Sequence, residues 1–79
     1  MIFLIEYDRS RGEMVTFEVF PDSERRIAED ARLEIELRLN RQGIDHEVVI
    51  LEAESEAAVR RTHRRYFETL SELASPSPK

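Results

Sequence analysis

Met1-Ile2-Phe3-Leu4-Ile5 is an unbroken apolar run. Read as a strand, it sends Phe3, Ile5 and Tyr7 to one side and Ile2, Leu4 and Glu6 to the other. Both sides are oily, and neither can be left in water. Such a strand belongs in the middle of a small sheet, covered above and below.

The neighbouring segments supply partners for it. Asp8-Arg9-Ser10-Arg11-Gly12-Glu13 is short and polar, with a glycine placed late, where a hairpin often needs a left-handed residue. Met14 to Phe20 then alternates as a second strand, with Val15, Phe17 and Val19 on one side and Met14, Thr16, Glu18 and Phe20 on the other. Pro21-Asp22-Ser23 signals a helix start, in which Asp22 or Ser23 can cap the free amides. The first helix runs to about Arg41, and Gly43 stops it. His46 to Ala53 is a third strand. Ser55 caps a second helix expected to continue to about Ala74.

The order is β-β-α-β-α. Placing the most apolar strand in the centre gives an antiparallel α+β sheet in the order 2-1-3. This resembles the split β-α-β arrangement within ferredoxin-like folds, a likeness of topology that carries no function. Residues 1–74 form one domain, and the Ser75-Pro76-Ser77-Pro78-Lys79 tail is expected to be disordered.

Composition narrows the classes. At 79 residues the chain buries only roughly 60% of its unfolded surface. It has no cysteine, so neither a disulfide nor a thiolate metal site staples it. No metal site and no cofactor is expected. The net charge of −5 argues against bulk attraction to nucleic acid or an anionic membrane. Arginine supplies all the basic residues except Lys79, which suits a surface laced with carboxylate pairs. Neither a leader pattern nor an apolar run of roughly 20 residues is seen, so cytoplasmic residence is the expectation.

The chain carries surplus apolar residues. If both helices cover the side bearing Phe3, Ile5, Val15, Phe17, Val49 and Leu51, the other side shows Ile2, Leu4, Met14, Val48 and Ile50. In the first helix, Ile27, Ala28, Ala31, Ile35 and Leu39 form one stripe, and Leu33 and Leu37 a second nearly opposite it. One explanation is a twofold homodimer in which a copy covers Ile2, Leu4, Val48 and Ile50, or Leu33 and Leu37. The other puts the helices on opposite sides of the sheet. The first is preferred because it also accounts for Leu33 and Leu37.

Candidate sites are few. Arg60, Arg61, Arg64 and Arg65 share one side of the second helix, opposite Val59, His63, Tyr66, Phe67 and Leu70. The cluster reads either as an anion- or nucleic-acid-binding face or as a solvated face laced to Glu68, Glu72 and the upstream glutamates. The second reading fits the net charge better. His63 reads as a packed histidine rather than a general base, since no nucleophile or carboxylate is spaced to serve it. Asp45-His46-Glu47 looks like a fragment of a metal site, but alternation sends His46 and Glu47 to opposite faces. Arg9, Ser10 and Arg11 read as a wet turn rather than an anion loop. No phosphate loop, activated nucleophile or paired catalytic carboxylates are present in the pattern, so nothing here supports an enzyme. A site completed across a dimer would leave no trace in one chain.

Ile5-Glu6-Tyr7-Asp8-Arg9 and Arg61-Thr62-His63-Arg64-Arg65-Tyr66-Phe67 resemble segments of short bacterial proteins of about this length to which no activity is assigned. The resemblance implies no substrate, cofactor or site residue. Together, these readings point to a non-enzymatic homodimeric interaction module, with anion or nucleic-acid binding through the arginines as the alternative.

Overall fold

The computed structural model describes residues 1–68. Strand β1 spans Ile2–Asp8, β2 Glu13–Phe20, helix α1 Arg25–Gln42, strand β3 Glu47–Glu52 and helix α2 Glu56–Thr62. The sheet is antiparallel throughout, in the order β2-β1-β3. β1 is therefore central, as its apolar run requires. Phe3 lies between Val19 and Leu51, and Ile5 between Phe17 and Val49. Ile2, Phe3, Leu4 and Ile5 are all buried, each worth about 1.5–3 kcal/mol relative to exposure.

The turns follow local chemistry. The Asp8 carboxylate accepts from the Ser10 hydroxyl and from the Ser10 and Arg11 amides. Gly12 turns the hairpin with φ of +68° and donates its amide to the Asp8 carbonyl. The register then slips between Glu6 and Tyr7, which face Thr16 and Met14 respectively, so Val15 has no opposite number in β1. Gly43, at φ of +67°, ends α1. Its amide reaches the Asn40 carbonyl and the Ile44 amide reaches Leu39, the double closure of a Schellman stop. The Ser55 hydroxyl accepts from the Ala58 amide and starts α2.

Three expectations are corrected. Asp22 and Ser23 do not cap α1. They form a short 3-10 turn with Glu24, and no side chain caps the helix that follows. The second helix does not run on towards Ala74 as one piece. It ends at Thr62, whose hydroxyl bonds back to the Ala58 carbonyl. His63 leaves the helical region at φ −128° and ψ 53°, and a 3-10 turn takes up Arg64–Tyr66. Residues 69–79, which hold the expected end of that helix and the tail, lie outside the described residues.

The third correction concerns the faces. The helices do not share a side of the sheet. α1 lies against β1 and β3 on the side of Glu6, where Arg38 reaches the Glu6 carboxylate. Tyr66 packs on Ile5 and Tyr7 on the other side. Ile2 and Leu4 are thus enclosed within one copy, at 1% and 0% exposure, and Val48 and Ile50 are half-buried beside them. That face is not an open dimer surface, because α1 has taken it. Leu33 and Leu37, on the far side of α1, remain 53% and 50% exposed.

Leu4→Ala, which empties a site between α1 and the sheet, is expected to cost about 2–5 kcal/mol. Urea unfolding followed by circular dichroism reads this as a lower midpoint at unchanged slope.

Candidate functional site

Among the described residues, chemistry-bearing side chains gather in two clusters, one on each face of the sheet. Glu6 sits on the α1 face at 1% exposure, in the middle of the most apolar strand. A carboxylate buried there must be met by donors. Thr16 Oγ1 donates to Glu6 Oε1 at 2.9 Å and Arg38 Nη2 to the same oxygen at 3.3 Å. His46 Nδ1 lies 2.7 Å from Glu6 Oε2, and since a carboxylate oxygen only accepts, the ring donates. Its Nε2 is 3.5 Å from Asp8 Oδ2. The Ser10 hydroxyl, with help from the Arg11 amide and His46, holds the Asp8 carboxyl below its ordinary 3.8.

The second cluster sits on the opposite face. The Tyr66 hydroxyl donates to Glu47 Oε2 at 2.6 Å, and Arg65 Nη2 reaches Glu47 Oε2 at 2.9 Å and the Tyr66 oxygen at 2.8 Å. The Arg65 guanidinium lies 4.2 Å from the Tyr66 ring centre and 5.6 Å from that of Tyr7. Tyr66 meets Tyr7 edge to face at 5.2 Å. Burial, reinforced by Glu47, pushes the Tyr66 hydroxyl up to about 12, so it stays a donor. The Tyr66 bond, with Arg65 beside it, holds the Glu47 carboxyl below its ordinary value. Adjacent residues His46 and Glu47 thus serve opposite faces, as alternation requires.

The break after Thr62 splits the arginine cluster. Arg60 and Arg61 stand on α2, Arg64 and Arg65 on the 3-10 turn, and the single helical face expected for all four does not form. Arg60 pairs with Glu56 at 2.6 Å and lies over the Phe67 ring at 4.6 Å. Arg64 pairs with Glu68 at 3.0 Å, and Arg65 is held as described. Arg61 is exposed and makes no ion pair among the described residues. Three of the four guanidiniums are therefore matched by carboxylates, so a phosphate would have to displace those before binding them. Arg9 and Arg11 in the hairpin are likewise paired, with Asp45 and Glu13.

His63 is half-buried at the helix break, with its ring 6.4 Å from that of Tyr66. No carboxylate bonds it among the described residues. Beside the hairpin, a depression of about 320 Å³ is lined by Met14, Tyr66, Phe67 and Arg60. Its aromatic walls suit an apolar side chain, and Arg60, its cation, is already paired. Among the described residues no group of His, Asp and Glu is arranged to hold a metal ion, and no helix is long and apolar enough to cross a membrane.

The Glu6 cluster was absent from the sequence reading. Its signal was nevertheless present, since an acid on the buried side of a central strand demands partners from elsewhere in the chain. Comparison with protein-family models, with curated proteins and with solved structures found no match.

Two outcomes follow. His46→Ala removes a donor from a buried carboxylate and is expected to destabilise the fold by about 1.5–3 kcal/mol in urea titrations. Tyr66→Phe is expected to cost a similar amount near neutral pH. Because the Glu47 carboxyl is depressed in the fold, its contribution is present above the ordinary 4.5 and is lost as pH falls through the lowered value. The gap between wild type and Tyr66→Phe should therefore narrow in acid, which urea midpoints across pH will show.

Proposed function

We propose that this protein is a small non-enzymatic interaction module that works as a homodimer. One observation carries the reading. Both faces of the central strand β1 are covered within one copy, yet Val15, Val19, Leu33 and Leu37 stay 53%, 42%, 53% and 50% exposed. Single exposed apolar residues are ordinary, but these come in two pairs. Val15 and Val19 lie on one outer strand, and Leu33 and Leu37 one turn apart on an otherwise charged helix side. A chain of 79 residues without cysteine gains from assembly, because its own core is thin.

The anion-binding alternative has less support. Among the described residues, carboxylates occupy Arg60, Arg64 and Arg65, leaving Arg61 as the cation on offer in that cluster. The polar side chains of both clusters are engaged with one another rather than aimed into a cleft, which favours a binding role over catalysis.

Sedimentation equilibrium tests the reading directly. The expected mass is twice the 9.3 kDa of one chain, with a melting temperature that rises with protein concentration. A mass of 9.3 kDa at every concentration contradicts it.

A further inference from the structure

His46 stands between two acids. It precedes β3, with its Nδ1 2.7 Å from Glu6 Oε2 and its Nε2 3.5 Å from Asp8 Oδ2. Glu6 and Asp8 are two apart on β1 and so point to the same side of the sheet. Glu6 is buried, and the side chains of His46 and Asp8 are only 17% and 14% exposed. The other oxygen of each acid is already served. Glu6 Oε1 accepts from Thr16 and Arg38, and Asp8 Oδ1 accepts from the Ser10 hydroxyl and the Ser10 and Arg11 amides. Among the described residues, Oε2 and Oδ2 are left to the ring. A carboxylate oxygen only accepts, and a neutral imidazole has one N–H to give.

We propose that His46 is held as the imidazolium, donating from both nitrogens, and that its second proton is a pH-dependent fastener between the start of β3 and the hairpin end of β1. Charge balance points the same way. On this side β1 contributes the carboxylates of Glu6 and Asp8, α1 contributes Arg38, and β2 contributes the uncharged Thr16. With the ring charged, two cations meet two anions. With it neutral, one anion is left over where water has little access. Arg9 and Asp45, the chain neighbours of Asp8 and His46, pair with each other at 3.2 Å and add no net charge. Glu47 points the other way, to Tyr66. The Ser10 hydroxyl, with help from His46, holds the Asp8 carboxyl below its ordinary 3.8, so Asp8 is an anion wherever a histidine titrates.

A fold that favours the charged ring draws stability from it in mild acid and loses that contribution as pH rises and the second proton leaves. The bare Nε2 then turns a lone pair, in place of a hydrogen, towards Asp8 Oδ2. The Glu47 cluster on the opposite face responds in the other sense, losing its contribution as pH falls. The two sides of the sheet are thus fastened by groups that answer to pH in opposite directions.

The test compares wild type with His46→Asn, which keeps an amide donor near the position of Nδ1 and removes the titration. The gap in urea midpoint between the two is expected to narrow from about pH 5 to about pH 8. Groups common to both proteins, His63 and the Met1 amine included, cancel in that difference. In an Asp8→Asn background, which keeps an oxygen for Ser10 and Arg11, the narrowing is expected to be much reduced. A gap that stays flat or widens with pH overturns the proposal, as does a narrowing that survives Asp8→Asn undiminished. Should a variant fail to fold, ring-nitrogen NMR of the wild type decides at about pH 7, where a free histidine is mostly neutral, with His63→Gln identifying the signals. Two protonated nitrogens at His46 support the proposal, and one bare nitrogen overturns it.

Discussion

Enclosure of β1 on both of its faces is the constraint on which the rest of the structure depends. A strand of Ile2, Phe3, Leu4 and Ile5 needs a strand on each edge and a cover on each side. The chain meets the four demands with β2, β3, α1 and the α2 segment. Glu6, enclosed with them, adds a further condition. Its carboxylate must be satisfied, so Thr16 from β2, Arg38 from α1 and His46 from the start of β3 converge on it. One buried acid thereby ties together the elements around the central strand and fixes how α1 lies over the sheet.

Tyr66 plays the corresponding part on the other face. Its ring fills the space over Ile5 and Tyr7, and its hydroxyl reaches Glu47. Neither an unbroken α2 nor a purely apolar contact would account for both ends of that side chain. Stopping α2 at Thr62 lets a short 3-10 turn place Tyr66 and Arg65 together at Glu47, while Arg60 remains one turn back over Phe67. Among the described residues, Arg60, Arg64 and Arg65 act here as fasteners of the local structure, each held by a carboxylate.

Much of the architecture was legible because it rests on short-range rules. Alternation in Met14 to Phe20, the left-handed stop at Gly43 and the hydroxyl cap at Ser55 each follow from neighbouring residues alone, and strand order followed from the apolar excess of β1. The misread parts depend on distant partners. Periodicity in residues 56–68 fits a continuous helix, whereas the break brings Tyr66 to the distant partners Glu47 and Tyr7. The side of the sheet that α1 takes could not be read from its stripe, since that stripe suits either face. Glu6, which reaches Arg38 and His46 far along the chain, decides it. The site residues fared similarly. The opposite facing of His46 and Glu47 came from strand geometry, whereas the Glu6 and Tyr66 clusters are products of the fold.

What the enclosure of β1 leaves over is as telling as what it hides. With β1 closed on both faces, exposed apolar side chains among the described residues remain at Val15 and Val19 on β2, at Ile27, Leu33 and Leu37 on α1, and at Met1 and Ile44. Native-state hydrogen exchange of the β1 amides tests the enclosure most directly. If β1 is closed on both edges and both faces, its consecutive amides from Phe3 to Tyr7 exchange together and only through global unfolding. Exchange of alternate β1 amides well before global unfolding would show an open edge and contradict the account.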